Sequence, residues 1–296
     1  MIKTFIPSEV PTPDFHGLVL ASIAPRPIAF VSTIDHNGLP NLAPYSFFNV
    51  FGVNPPLLIF SPSRRVRGNT TKHTLENVEQ VKEAVINVVN FDMVQQMSLT
   101  GAEYEKGVNE FEKSGLTPLP SLIVKPFRVK ESPVQIECKV RDIIYTGNEG
   151  GAGNLVICEI VAIHAHDSLF DEKGQMDTRR LDLVGRLGAD WYVRASGDAL
   201  FELPKPSNPP GIGIDALPSF IKNNDVLTGN DLGALGNLPF LPSAEEADAY
   251  VKSAAYQDLL QNSNFSQLSM LEKSHYLISQ GMVKESLLLL MSHSNS

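Results

Sequence analysis

The chain has 296 residues, 43% of them hydrophobic and 19% charged, with a formal net charge of -9. This is the composition of an ordinary globular protein that can bury a sizeable core, long enough for one large domain or two small ones. An acidic total argues against a nucleic-acid partner, which needs a broad basic surface, and no apolar run approaches the roughly 18 residues that cross a bilayer.

The N-terminal MIKTFIPSEVPTPDF has one lysine but no long apolar centre and no small-residue cleavage site, so no secretory signal is read and a cytoplasmic location is expected. From about residue 26 the pattern is β-rich: PIAFVSTI, the turn DHNGLP, then NLAPYSFFNVFG and PPLLIFSP. Asn37 and Gly38 tolerate positive φ, so the first two runs read as a hairpin.

The next stretch, SPSRRVRGNTTKHT, carries Arg64, Arg65, Arg67 and Lys72 and no acidic residue. KHTLENVEQVKE follows with Leu75, Val78 and Lys82 at helical spacing, Thr74 as the expected N-cap and Asn77 three residues on. A helix N-terminus beside four cations makes an anion site suited to a small ligand with one or two phosphates.

EAVINVVNF reads as a strand, and DMVQQMSLTG and GVNEFEKSGL as short helices stopped at Gly101 and Gly115. SPVQIECKVRD alternates, with Val134, Ile136, Cys138 and Val140 on one face and Gln135, Glu137, Lys139 and Arg141 on the other. GNLVICEIVAIHAHDSLF is a second long strand after the glycine-rich turn GNEGGAGN. The elements give a mainly β, mostly antiparallel barrel or sandwich with peripheral helices.

Prolines and glycines crowd ELPKPSNPPGIGIDALP, which reads as a linker, and the chain beyond is helical. SAEEADAYVKSA offers Ser243 and Glu246 as a capping box, with Ala247, Tyr250, Val251 and Ala254 along one face. Two more helices are expected, about 266–279 and 282–291. The domain reading is therefore 1–204 for the β-rich part and 205–296 for the linker and helical extension.

Familiar catalytic motifs are missing. There is no GxxxxGK(S/T), GxGxxG, GxSxG or HExxH run, so no nucleotide loop of those types and no nucleophile–base pair is nominated. Cys138 and Cys158 lie in strand-like runs without CxxC spacing and read as buried hydrophobes. His164 and His166 share a strand face but have no third ligand nearby, so no metal is assigned.

The run APRPIAFVSTIDHNGLPNLAPYSFFNVFGVNPPLLIFS, then KHTLEN, VINVVN, NEFEKSGL, VKESPVQIECKV and DLVGRLGADWY, resembles in order the flavin reductase-like family, which includes the flavoredoxins. The resemblance spans roughly residues 11–202. It implies an FMN-binding split β-barrel, antiparallel and Greek-key, here with a C-terminal helical extension, and a homodimer with the cofactor near the subunit interface.

The resemblance also implies roles. Lys72 and Thr74 would contact the FMN phosphate, with Ser61 and Arg64 or Arg65 closing the other side and Asn77 carried with them. Fixed cations, hydroxyls and free amides are what a dianion needs. His73 stands where the family usually has an acidic residue. Ala43, Tyr45 and Ser46 would meet the polar edge of the isoalloxazine, while Phe47 and Asn49 shape the pocket; Pro44 removes a donor, as at a strand edge left free for a ligand. Ser32 and Thr33 offer hydroxyls from the preceding strand. Arg26 is either a surface residue before a strand or a cofactor-side cation. Arg186 and Tyr192 match a family motif and serve in packing or around the flavin.

The implied activity is hydride transfer from NADH or NADPH to bound FMN, used in preference to FAD, with electrons passed to a partner monooxygenase or redox protein. The cofactor performs the hard step in such chemistry. A carrier or electron-transfer flavoprotein reduced by a protein partner is the alternative, and a third reading makes the helical extension a sensing or interaction module on a barrel scaffold.

Overall fold

The computed structural model describes residues 1–206 and 208–293. The chain divides into two units, Met1–Phe201 and Glu202–Ser296, each with its own hydrophobic core.

The first unit opens with helix α1 (Thr12–Ser22), which had no counterpart in the sequence reading, then four strands: β1 (Ala29–Ile34), β2 (Pro40–Tyr45), β3 (Phe48–Val53) and β4 (Pro56–Phe60). Helix α2 (His73–Val81) and strand β5 (Glu83–Val88) follow, then α3 (Val94–Leu99), α4 (Glu110–Ser114) and the small hairpin β6 (Pro118–Leu119) and β7 (Arg128–Val129). Two long strands, β8 (Val134–Tyr145) and β9 (Asn154–Ala165), and a final hairpin, β10 (Leu183–Arg186) and β11 (Tyr192–Ala195), complete it.

Seven strands form one antiparallel sheet in the order β2-β1-β5-β8-β9-β4-β3. The run expected as one strand, NLAPYSFFNVFG, therefore breaks at Ser46 and Phe47 into the two edge strands. Three Cα–Cα steps reach at most about 11 Å, so the two edges must lie close together. The sheet has to curl into a barrel that stays open at one seam, and Ser46 and Phe47 sit on that seam.

All six residues of β1 are buried because its two faces feed different cores. Ala29 and Val31 join Phe60, Ile86, Cys138 and Cys158 inside, with Leu75 and Val78 of α2 packed there too. Phe30 and Leu42 pack with Met93, Met97, Phe111 and Val184 on the other face. The β1–β2 hairpin turns where Asn37 and Gly38 stand, with Gly38 at φ 85°.

Three local expectations need correction. Helix α2 starts one residue before Thr74, with Lys72 as its N-cap, because the Thr74 hydroxyl is engaged across the barrel wall instead of capping its own turn. Lys82 leaves the helix in a left-handed conformation, φ 59°, and ends it. Glu137, assigned to the polar face of β8, is fully buried. A register shift between Glu137 and Cys138 interrupts strict alternation there, and the amides of Leu122, Ile123 and Val124 satisfy the carboxylate.

The second unit comprises α5 (Ser219–Lys222), α6 (Gly229–Gly236), α7 (Ala244–Val251), α8 (Ala254–Gln261), α9 (Ser263–Ser266), α10 (Met270–Ser279) and α11 (Val283–Ser292). The Ser243–Glu246 capping box is formed, as are Thr228–Asp231 and Ser269–Glu272. The face expected to run from Ala247 to Ala254 is cut at Val251, where Ser253 caps a new helix. Residues 266–269 are not part of one long helix because Ser269 caps α10. No helix among the described residues is long and apolar enough to cross a membrane.

Candidate functional site

A cleft of about 750 Å³ opens at the barrel seam. Pro44, Tyr45, Ser46 and Phe47 form one wall, and Ser61, Ser63 and the basic loop from Arg64 to Arg67, with Lys72, form the other. His16 and Leu20 of α1, Arg186 of β10, Glu103 and Gly151 complete the lining.

The basic loop is held in shape by backbone and side-chain bonds. The Arg64 amide donates to the Ala152 carbonyl at 2.9 Å and Gly151 donates to the Arg64 carbonyl at 3.1 Å. The loops touch so closely that a Cβ on Gly150 would lie 2.8 Å from the Val66 carbonyl oxygen; the glycine run read only as a turn is what admits this approach. Arg64 holds Asn69, and Arg65 bridges Glu103 at 2.8 Å while donating to Thr70 and Thr71.

Lys72 differs from these arginines. Its ammonium makes no hydrogen bond or ion pair among the described residues, although it is half-buried. Desolvation, and then the Arg65 charge, push its pKa below the ordinary lysine value. An unpaired, partly desolvated cation beside a second cation is stabilised by an anion arriving in the cleft.

Of the seventeen residues nominated from sequence, Pro44, Tyr45, Ser46, Phe47, Ser61, Arg64, Arg65, Lys72 and Arg186 line this cleft. Ala43 and Thr74 line a smaller polar chamber that adjoins it. Thr74 is buried, and its Oγ1 accepts hydrogen bonds from Asn41 at 2.9 Å and the Tyr45 hydroxyl at 2.8 Å. Burial raises the Tyr45 hydroxyl far above its ordinary pKa, so it stays a donor.

The remaining six lie outside the cleft lining. Arg26 is buried with its guanidinium turned to the Leu20, Ile23 and Leu187 carbonyls and its Nε 3.3 Å from Ser46 Oγ. It is a cation at the carbonyl end of α1 that positions a lining serine. Tyr192 packs 4.5 Å beneath the Arg186 guanidinium. Thr33 and Asn77 are buried and bonded to each other at 3.0 Å, and the buried Ser32 hydroxyl has no partner among the described residues. Asn49 accepts from the Val50 amide on exposed β3. His16, Leu20 and Glu103 were not foreseen, because α1 and the loop after α3 carry no motif that ties them to the barrel.

His164 Nε2 donates to the buried Glu137 carboxylate at 2.7 Å. No cluster of three or more potential metal ligands occurs among the described residues.

The sequence model of the flavin reductase like domain matches residues 21–181. The chain belongs to the flavin reductase-like family. An uncharacterised protein of Aquifex aeolicus is 39% identical over 194 residues, covering 66% of this chain and 96% of that one. The crystal structure of nitrilotriacetate monooxygenase component B from Bacillus cereus superposes with TM-score 0.64 at 30% identity, over 69% of this chain and 99% of that one. A Shewanella frigidimarina protein described as a flavin reductase with split barrel domain gives TM-score 0.58 at 29% identity, over 67% and 95%. The curled seven-stranded sheet is thus the split barrel of this family, and the family match lies within the first unit.

The cleft fits a flavin nucleotide on its own terms. Its volume is within the roughly 300–1,000 Å³ of cofactor pockets. One wall concentrates Arg64, Arg65, Arg67 and Lys72, and the other offers the Phe47 ring with the Ser46 hydroxyl.

Proposed function

We propose that this member of the flavin reductase-like family binds FMN in the seam cleft and oxidises NADH or NADPH. The single observation that carries the reading is Lys72, a half-buried cation with no hydrogen bond or ion pair among the described residues, on the basic wall of a cleft of cofactor size. Lys72, Arg64 and Arg65 would hold the phosphate, with the Ser61 hydroxyl beside them. Pro44 to Phe47 would lie along the ring, on the free edge of the sheet where no neighbouring strand competes for β2 backbone groups.

Bound FMN would supply the redox chemistry, able to take two electrons as a hydride from a nicotinamide, with one proton from solvent completing its neutral reduced form. The protein's part would be binding and orientation. Electrons then pass to a monooxygenase or redox partner.

We also propose a homodimer, supported by the exposed apolar residues of edge strand β3: Val50, Phe51 and Val53 are 57%, 65% and 87% exposed. The test of function is to add NADH or NADPH anaerobically to the FMN-loaded full chain and follow visible absorbance. Bleaching with either nucleotide supports the oxidoreductase; bound FMN that stays oxidised with both but bleaches with a reduced redox protein reassigns the chain as an electron carrier.

A further inference from the structure

Behind the Tyr45 wall of the cleft lies the second, smaller chamber, about 50 Å³ in volume. It shares Pro44, Tyr45, Arg65 and Lys72 with the cleft, so a single layer of side chains separates the two. On its other side it shares Asn41 and His73 with an outer pocket rimmed by the exposed Leu39, Lys106 and Gly107. Cleft, chamber and outer pocket thus lie in series, each separated from the next by the side chains they share, from the barrel seam to a different part of the surface.

The chamber is wide enough for roughly three to five water molecules and its lining is polar enough to hold them. Its lining includes Glu110, which is 5% exposed and whose Oε2 accepts from the Leu42 amide of β2 at 3.1 Å, with its own backbone amide a second donor toward the carboxyl. A buried carboxyl beside a polar chamber, with no ion pair among the described residues, is a group able to take up and give back a proton.

We propose that this chamber is a proton conduit between solvent and the flavin cleft, with Glu110 as the inner proton-holding group and His73 as the outer one. The inference rests on the flavin reading above. Reduction by a nicotinamide delivers the hydride but leaves one proton to be drawn from solvent, and this passage admits it while the cleft mouth is covered by bound ligands. Tyr45, donating to Thr74, lies on the wall between conduit and cleft.

The titration behaviour of the lining agrees with this geometry. Burial raises the Glu110 pKa and lowers those of His73 and Lys72, so each is moved toward its neutral form. Around His73, Glu76 opposes the shift, while Arg65, Lys106 and Lys72 reinforce it. Around Glu110, hydrogen bonding from the Leu42 amide, and then from its own backbone amide, opposes the shift.

The conduit is tested first on the full chain without FMN. Infrared difference spectra of the protein and of Glu110→Gln, which keeps an oxygen for the Leu42 amide, isolate the carbonyl stretch of a protonated Glu110. Rapid mixing into D2O then reads how fast that proton exchanges. Exchange should finish within the mixing time, and Ala102→Phe, which fills the chamber from its exposed rim, should slow it at least tenfold. Equal exchange in both proteins, or a Glu110-dependent band that titrates no higher than an ordinary glutamate, overturns the proposal.

FMN binding is next titrated by fluorescence quenching, which tests the flavin reading separately. Proton uptake on photoreduction is followed with a pH-indicator dye in weak buffer. Ala102→Phe should bind FMN as tightly as the parent and take up its proton at least tenfold more slowly. Unchanged uptake overturns the conduit while leaving the flavin reading intact. Failure of the parent to bind FMN overturns both.

Discussion

The Tyr45 hydroxyl donates to Thr74 Oγ1 at 2.8 Å, tying the last residue of β2 to the first turn of α2. Asn41 donates to the same oxygen at 2.9 Å, so one buried hydroxyl fixes both ends of β2 against the helix that follows the basic loop. The cleft wall and the basic loop are thus set in register by a residue that does not line the cleft.

Replacing Thr74 by Val keeps the shape and removes the acceptor. The buried Tyr45 hydroxyl loses its partner and Asn41 keeps only its longer bond to Thr33 Oγ1 at 3.4 Å, at a cost of about 1–3 kcal/mol. Urea denaturation should show the midpoint falling with little change in slope. An unchanged midpoint would mean that Tyr45 and Asn41 find other partners.

Lys72→Met should separate binding from stability. The ammonium has no hydrogen-bond or ion-pair partner among the described residues, and its partial burial beside Arg65 is unfavourable. Without FMN the variant should be as stable as the parent or more so. Its FMN affinity should fall at least tenfold, about 1.4 kcal/mol, and depend less on salt. A variant that loses stability but keeps its affinity would remove Lys72 from the phosphate site.

The β-rich core was legible because strands such as β5 and the β1–β2 hairpin carry their own signals, in continuous apolar runs and the Asn37–Gly38 turn. The break at Ser46 and Phe47 was not: both halves of NLAPYSFFNVFG have strand propensity, and only the closure of the sheet separates them. Arg64, Arg65 and Lys72 were readable as an anion site because charge clusters in sequence. Thr74 and Arg26 were not readable as supports, since their partners, Tyr45, Asn41 and Leu187, are remote in sequence. In the second unit, α5, α6, α8 and α9 escaped notice because short helices hold through caps and packing more than through a long apolar period.

The dimer proposal predicts that Phe51→Asp combined with Val53→Asp gives a monomer. Charge on the exposed face of an edge strand blocks association without disturbing the interior. Light scattering should move from twice the chain mass of 32.4 kDa to that mass. A parent that already scatters as a monomer with FMN bound would end the proposal.

Glu137 gives the sharpest pH test. Burial pushes its carboxyl pKa up, but the amides of Leu122, Ile123 and Val124 with His164 outweigh this, and the net displacement is downward. A carboxyl whose folded pKa is depressed stabilises the fold above its unfolded value, about 4.3, and loses that contribution as pH falls through the folded value. In Glu137→Gln the amide oxygen can still accept, but the NH2 group faces backbone donors, so about 2–4 kcal/mol should be lost at pH 7. The gap between parent and variant, read from urea midpoints, should be full at pH 7 and narrow steadily below about pH 4. The segment 120–127 should also become protease-sensitive in the variant, because three of its amides lose a charged acceptor. A gap that stays constant down to pH 3 would show that the neutral acid serves these amides as well as the carboxylate does.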